Sequence, residues 1–200
     1  MADVAIFDYG AGNIFSLKNS LERAGATVSI IDSLGEKNTH SGIILPGVGN
    51  FDPAMKSICK LGEQFLEYVG DTPVLGICLG MEMFFESSEE GSMRGLGVIK
   101  GDVIVLPPSM KIPHMGWNDL KINRPGLILQ GVKGGSWAYF VHSYMARPSS
   151  NGIVTAESDY GVNVPAVVES GNFFGTQFHP EKSGKTGQIM IRNFLQECKR

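Results

Sequence analysis

The rhythm of hydrophobic and polar positions changes about halfway along the chain. Residues 4–8 form a short apolar run closing on Gly10 and Gly12, the pattern of a buried strand that runs into a turn. Ile14, Leu17, Leu21 and Ala24 then share one helical face. Asn13 stands before them as an N-cap, and Gly25 stands where a C′ glycine belongs. Residues 28–31 and 42–45 read as further strands, the second closing on Pro46-Gly47-Val48-Gly49. A second helix is predicted with Asp52 as its N-cap and Pro53 at its first position. It carries Ile58, Leu61, Phe65 and Val69 on one face and is weakened by Gly62. Residues 74–77 make a fourth strand, and a helix over residues 79–86 leaves it abruptly.

This alternation of strand and helix builds a mostly parallel sheet covered by helices on both faces. The second half reads differently. Short β-rich stretches over residues 98–106, 137–141, 153–158, 166–169 and 173–177 are separated by Gly, Pro and Asn turns, the pattern of antiparallel additions to that sheet. A final helix places Met190, Ile191, Phe194, Leu195 and Cys198 inward. There is no repeat, low-complexity tract or linker. The expectation is one α/β domain over residues 1–200, three-layered, with a central parallel sheet and antiparallel β additions.

Composition narrows the functional classes. The chain is 42% hydrophobic and 18% charged, a globular balance, and its net charge of −3 gives no footprint for a nucleic-acid backbone. No stretch approaches the ~20 apolar residues of a membrane span, and the first residues lack the basic region of a secretion signal. The three cysteines, Cys59, Cys78 and Cys198, show no paired spacing, so a cytoplasmic location is expected.

The strongest local signal is Gly76-Ile77-Cys78-Leu79-Gly80. Small residues on both sides of a nucleophile permit a sharp, strained turn from strand to helix. That turn exposes the thiol to a helix N-terminus, which lowers its pKa and offers N–H groups to an oxyanion. The same pentapeptide also suits a buried core cysteine, and by itself it leaves the two readings even. A nucleophilic thiol needs a base, and the base needs an orienting partner. His179-Pro180-Glu181 offers both, although alone it reads equally as an exposed turn with an incidental acid. His40 lies in a polar loop, and His114 and His142 have no acid nearby. Gly10-Ala11-Gly12 and Gly47-Val48-Gly49 lack the third glycine of a dinucleotide fingerprint, there is no P-loop, and no Cys or His spacing suits a metal. No cofactor is expected.

Three segments taken together, GICLGM around Cys78, PGVG at residues 46–49 and HPE at residues 179–181, resemble the class I glutamine amidotransferases. Asp8-Tyr9-Gly10-Ala11-Gly12-Asn13, Pro113-His114-Met115-Gly116-Trp117-Asn118 and Val141-His142-Ser143-Tyr144 resemble, within that family, the glutaminase subunits of imidazole glycerol phosphate synthases. The resemblance implies hydrolysis of L-glutamine to glutamate and ammonia by a triad of Cys78, His179 and Glu181. It places the oxyanion donors on the backbone of Leu79 and of Val48 or Gly49. Gly47, Glu82, Ser143 and Tyr144 match positions near the bound glutamine. Glu82 stands where many relatives carry glutamine. Asn13, Trp117, Asn118 and Tyr139 match the face toward a separate (β/α)8-barrel cyclase subunit, the implied partner in a heterodimer, which receives the ammonia through a channel. A buried tryptophan packing against the second sheet is the plainer reading of Trp117.

Other readings make different predictions. A glutaminase feeding another synthase would lack P-H-M-G-W-N. An idle regulatory module has no use for an intact Cys78, His179 and Glu181. A cysteine peptidase would act alone on peptides or esters.

Overall fold

The computed structural model describes residues 1–10, 13–33, 35, 38–59 and 64–200. Its first half runs β1 (Ala2–Phe7), α1 (Ile14–Arg23), β2 (Ala26–Ile31), β3 (Gly42–Leu45), α2 (Phe51–Cys59), α3 (Gln64–Val69), β4 (Val74–Ile77) and α4 (Leu79–Glu82). The second half adds β5 (Ser87–Ser88), β6 (Gly101–Val105), β7 (His114–Ile122), β8 (Ser136–His142) and β9 (Tyr144–Pro148). It closes with β10 (Val154–Asp159), β11 (Asn163–Ser170), β12 (Phe173–Thr176) and α5 (Gly184–Glu197).

Among the described residues a nine-stranded sheet runs β2-β1-β3-β4-β12-β11-β10-β7-β8. Pairs from β2 through β12 are parallel, and those beyond β12 are antiparallel. β5, β6 and β9 form a smaller second sheet. The parallel strands read as near-continuous apolar runs because both faces are covered. Val4, Ile6, Ile44, Leu75 and Ile77 share one core with Leu17 and Leu21 of α1 and with Met190 and Phe194 of α5. Phe7, Ile43, Leu45 and Val74 share the other with Phe51, Met55 and Ile58 of α2 and Phe65 of α3. Three layers result, as the alternation predicts.

The two ends of α1 follow its sequence. Asn13 Oδ1 accepts from the Ser16 amide at 3.2 Å, and Gly25 has φ +96°, where a side chain would be strained. Other expectations are corrected. Asp52 is not an N-cap, since α2 begins at Phe51. Its carboxylate instead accepts from the Ser92 and Met93 amides and the Ser92 hydroxyl, three donors that outweigh one cap bond. Of the long second helix, α2 and α3 are helical as expected, and Leu61 and Gly62 lie outside the described residues. The helix after β4 closes at Glu82, four residues short of the expectation. Strands β7 and β9 were not foreseen, because β7 mixes exposed Met115 and Trp117 with buried His114 and Leu120 and shows no clean alternation of apolar and polar types. Among the described residues no helix is long and apolar enough to cross a membrane.

The parallel pairing of β4 with β12 positions the chemistry. Ile77 lies opposite Thr176, and the Cys78 amide donates to the Thr176 carbonyl at 2.7 Å. Cys78 and Gln177 therefore leave the same carboxyl edge of the sheet side by side, the edge at which open α/β sheets hold ligands.

Candidate active site

Cys78 occupies a strained elbow. Its φ of +49° and ψ of −105° place an L-residue with a side chain in backbone space that favours glycine. The elbow is held by close backbone approach. A Cβ on Gly47 would overlap the Ile77 carbonyl oxygen and lie 2.7 Å from the Leu79 amide nitrogen. A Cβ on Gly80 would overlap the Leu45 carbonyl, and one on Gly76 would lie 2.6 Å from the Gly80 backbone. The glycines flanking Cys78 and the one opening PGVG thus let three backbone segments meet under one thiol.

The thiol lies 3.8 Å from the Val141 carbonyl and 3.7 Å from Gln177 Nε2. Contrary to expectation, the Cys78 thiol is held well above the usual range. Burial is the main cause and the Glu82 charge the next, against which the Leu79 N–H and the Gln177 amide pull downward. A four-residue helix supplies too little dipole to offset that desolvation.

His179 begins a 3₁₀ turn, Pro180–Lys182. Its Nδ1 donates to Glu181 Oε1 at 2.9 Å, with both side chains more than nine-tenths buried. Among the described residues, His179 Nε2 and Glu181 Oε2 have no partner. The turn is clamped on two sides. The His179 amide donates to the Tyr139 carbonyl of β8 at 3.0 Å, the Tyr139 amide donates to Ser183 Oγ, and Ser183 Oγ–H donates to the His179 carbonyl. Gly187 of α5 lies against Pro180, where any Cβ would overlap the Pro180 carbonyl.

A cavity of about 280 Å³ brings together Gly47, Val48, Gly49, Cys78, Leu79, Glu82, Ser143 and Tyr144. These are the sequence-derived oxyanion and substrate positions in one place. His179 and Glu181 line instead an adjoining void of about 40 Å³, which shares Gly47 and Val48 with the larger one and has Asn13 on its wall. Of the expected partner-face residues, Trp117 and Tyr139 pair across β7 and β8 with ring centroids 5.9 Å apart. Trp117 is 52% exposed, so it is not a core tryptophan. Asn118 points to the opposite face, donating to the Asp159 carbonyl at 2.8 Å.

Sequence reasoning missed Glu90 on the cavity wall and Gln177 at the thiol. Only Gln177, next to H-P-E and in register with the elbow, carried a usable signal. The two histidines without a nearby acid pair with each other. His142 Nδ1 donates to the Tyr144 carbonyl at 2.7 Å, leaving its Nε2 to accept from His114 Nδ1 at 3.0 Å. Burial pushes each down to about 4, so this chain is held neutral and braces the cavity's 142–144 wall.

Glu82 is buried, accepts from Gln177 Nε2 at 3.0 Å, and is pushed up from 4.5 to about 7, chiefly by burial. Its folded-state value lies above its unfolded one, so the folded chain holds a proton that the unfolded chain has released. The associated stability is complete below about 4.5 and is lost as pH rises through about 7. The loss is on the order of 3 kcal/mol. Glu82→Gln, neutral throughout, is expected to keep its urea midpoint between about pH 5 and about pH 8, while the parent's falls. Parallel behaviour of the two chains would contradict the assignment.

Residues 5–198 match the class I glutamine amidotransferase family. The chain belongs to that family. Curated relatives of this amidotransferase include proteins named imidazole glycerol phosphate synthase subunit HisH. The one from Halobacterium salinarum is 46% identical, covering 98% of this chain and 94% of its own. Those from Archaeoglobus fulgidus and Methanocaldococcus jannaschii are each 45% identical, covering 98% and 96% of this chain and 100% and 98% of their own. Among solved structures, one titled glutamine amidotransferase superposes with a TM-score of 0.74 at 20% identity, covering 98% of this chain and 99% of its own. PurLQS from Thermotoga maritima gives 0.69 at 21%, with the same coverage. At those identities the structures show a shared fold. The amidotransferase is an enzyme subunit by family, and its architecture is that of its structural neighbours.

Proposed function

We propose that the chain is the glutaminase subunit of an imidazole glycerol phosphate synthase, acting as one domain in the cytoplasm. It hydrolyses L-glutamine to glutamate and ammonia, and the ammonia passes through a channel to a separate (β/α)8-barrel cyclase subunit in a heterodimer. The single observation that carries the reading is the strained Cys78 elbow at the floor of a cavity, one strand away from a buried imidazole tied to Glu181. The names of the relatives at 45–46% identity supply the synthase.

In this reading Cys78 Sγ attacks the carboxamide carbon of glutamine, and the thiol proton goes to His179 Nε2. The tetrahedral oxyanion is held by the Leu79 N–H, on the wall of the same cavity, and by a PGVG amide at Val48 or Gly49. Collapse breaks the carbon–nitrogen bond as His179 returns the proton to the leaving ammonia, giving a glutamyl thioester. Water then attacks with His179 as base, releasing glutamate and restoring the thiol. Glu181 orients the imidazole through Nδ1 and steadies its cationic form. Gly47, Ser143 and Tyr144 shape the side of the glutamine site, and Glu82 and Glu90 offer carboxylates to the substrate ammonium. Asn13, Trp117 and Tyr139 face the cyclase, while Asn118, turned to the other face of β7, supports that edge from behind.

The thioester is the direct test. Acid quenching during turnover is expected to leave a glutamyl group on the peptide that contains Cys78, detected by mass spectrometry. Turnover with glutamyl label on no cysteine would remove the covalent mechanism.

A further inference from the structure

Gln177 is fully buried beside the elbow, and its carboxamide nitrogen is shared. Nε2 lies 3.0 Å from Glu82 Oε1 and 3.7 Å from Cys78 Sγ, while Oε1 has no partner among the described residues. One amide nitrogen carries two N–H donors, so it can serve both acceptors together. Reversing the amide would turn Oε1 toward the Glu82 carboxylate and leave the sulfur with no side-chain donor. A buried unpaired oxygen is unfavourable, but once Glu82 is ionised, above about pH 7, its bond to the amide is the stronger charge-assisted kind that holds the side chain this way round.

We infer that Gln177 is a positioning residue for the nucleophile: aimed by Glu82, its second N–H fixes the Cys78 sulfur and favours the thiolate. This rests on the reading of Cys78 as the nucleophile. The groups around the sulfur leave Gln177 a defined share of that task. Glu82 on α4 and Glu181 on the 3₁₀ turn disfavour a negative sulfur, and the Tyr9 hydroxyl beyond β1 is buried close enough to feel both the sulfur and Glu82. The Leu79 N–H and the Gln177 amide favour it. Gln177 is thus the side-chain donor that opposes two carboxylates.

The test uses the full chain and follows iodoacetamide alkylation against pH, read on the Cys78 peptide so that Cys59 and Cys198 do not contribute. Gln177→Met keeps the length and removes the N–H donors. Its Cys78 profile is expected to move to higher pH by about one unit, a roughly tenfold slower reaction at a fixed pH below the midpoint. The kcat for glutamine should fall by a similar factor with KM little changed, a split that loss of packing would not give. Gln177→Asn, whose carboxamide is drawn back by one methylene, should move the profile in the same direction, and it decides the matter if the methionine variant does not fold. Profiles that superimpose on the parent's in a folded variant overturn the proposal. Cys78→Ala separates the two readings. Glutamate release that survives it refutes the nucleophile, whereas release abolished by it beside an unmoved Gln177 profile refutes the positioning role alone.

Discussion

Cys78→Ala is expected to lower glutamate release by about 10⁴-fold or more while the chain stays folded, because in the proposed mechanism the sulfur forms the bond that the rest of the site serves. The backbone sharpens this expectation. At φ +49° any residue with a Cβ is strained, and that strain is of order 1–3 kcal/mol. Cys78→Gly is therefore expected to be as inactive as the alanine variant yet more stable than the parent by about 1 kcal/mol, read from thermal unfolding. A gain in stability with a total loss of activity marks a position where strain serves function. If the glycine variant is less stable than the parent, packing of the thiol outweighs the strain, and the elbow is not a strained device.

Gly47→Ala is expected to have the second largest effect. Its new methyl would overlap the Ile77 carbonyl and press on the Leu79 amide, two backbone groups that cannot swing aside as a side chain would. The PGVG segment must lift from the elbow, and with it the Val48 and Gly49 amides proposed as oxyanion donors. Loss of an oxyanion donor lowers turnover by about 10²–10³-fold, and overpacking of this kind destabilises by about 1–3 kcal/mol. Both are measured on one preparation, by glutamate release and by urea unfolding. Gly134→Ala, where the methyl meets nothing within 4 Å, is the matched control and should change neither. Unaltered turnover in Gly47→Ala would mean that PGVG takes no part in the reaction.

Features set by neighbours in the chain were legible in the sequence. The caps of α1 at Asn13 and Gly25, the buried parallel strands, the Gly76-to-Gly80 elbow and the inward face of α5 all depend on residues a few positions apart. Features set by distant partners were not. The Asp52 carboxylate is drawn to amides 40 and 41 residues away, which nothing near it announces. Strand β7 is defined by its pairing with β8 and β10 rather than by its own pattern. Glu82 and Gln177 meet beside the thiol from segments 95 residues apart, and burial there reverses the direction expected for the Cys78 pKa. In the same way His114 and His142, unremarkable alone, become a neutral pair because adjacent strands place them opposite each other.

A glutaminase that serves a cyclase is the role proposed for the chain. It is tested most directly by measuring glutamate release from L-glutamine by the pure chain, with and without the cyclase subunit of an imidazole glycerol phosphate synthase loaded with its nucleotide ligand. Strong stimulation by the loaded cyclase, absent in Cys78→Ala, is the predicted result. Release that the cyclase leaves unchanged, or that persists in Cys78→Ala, would contradict it.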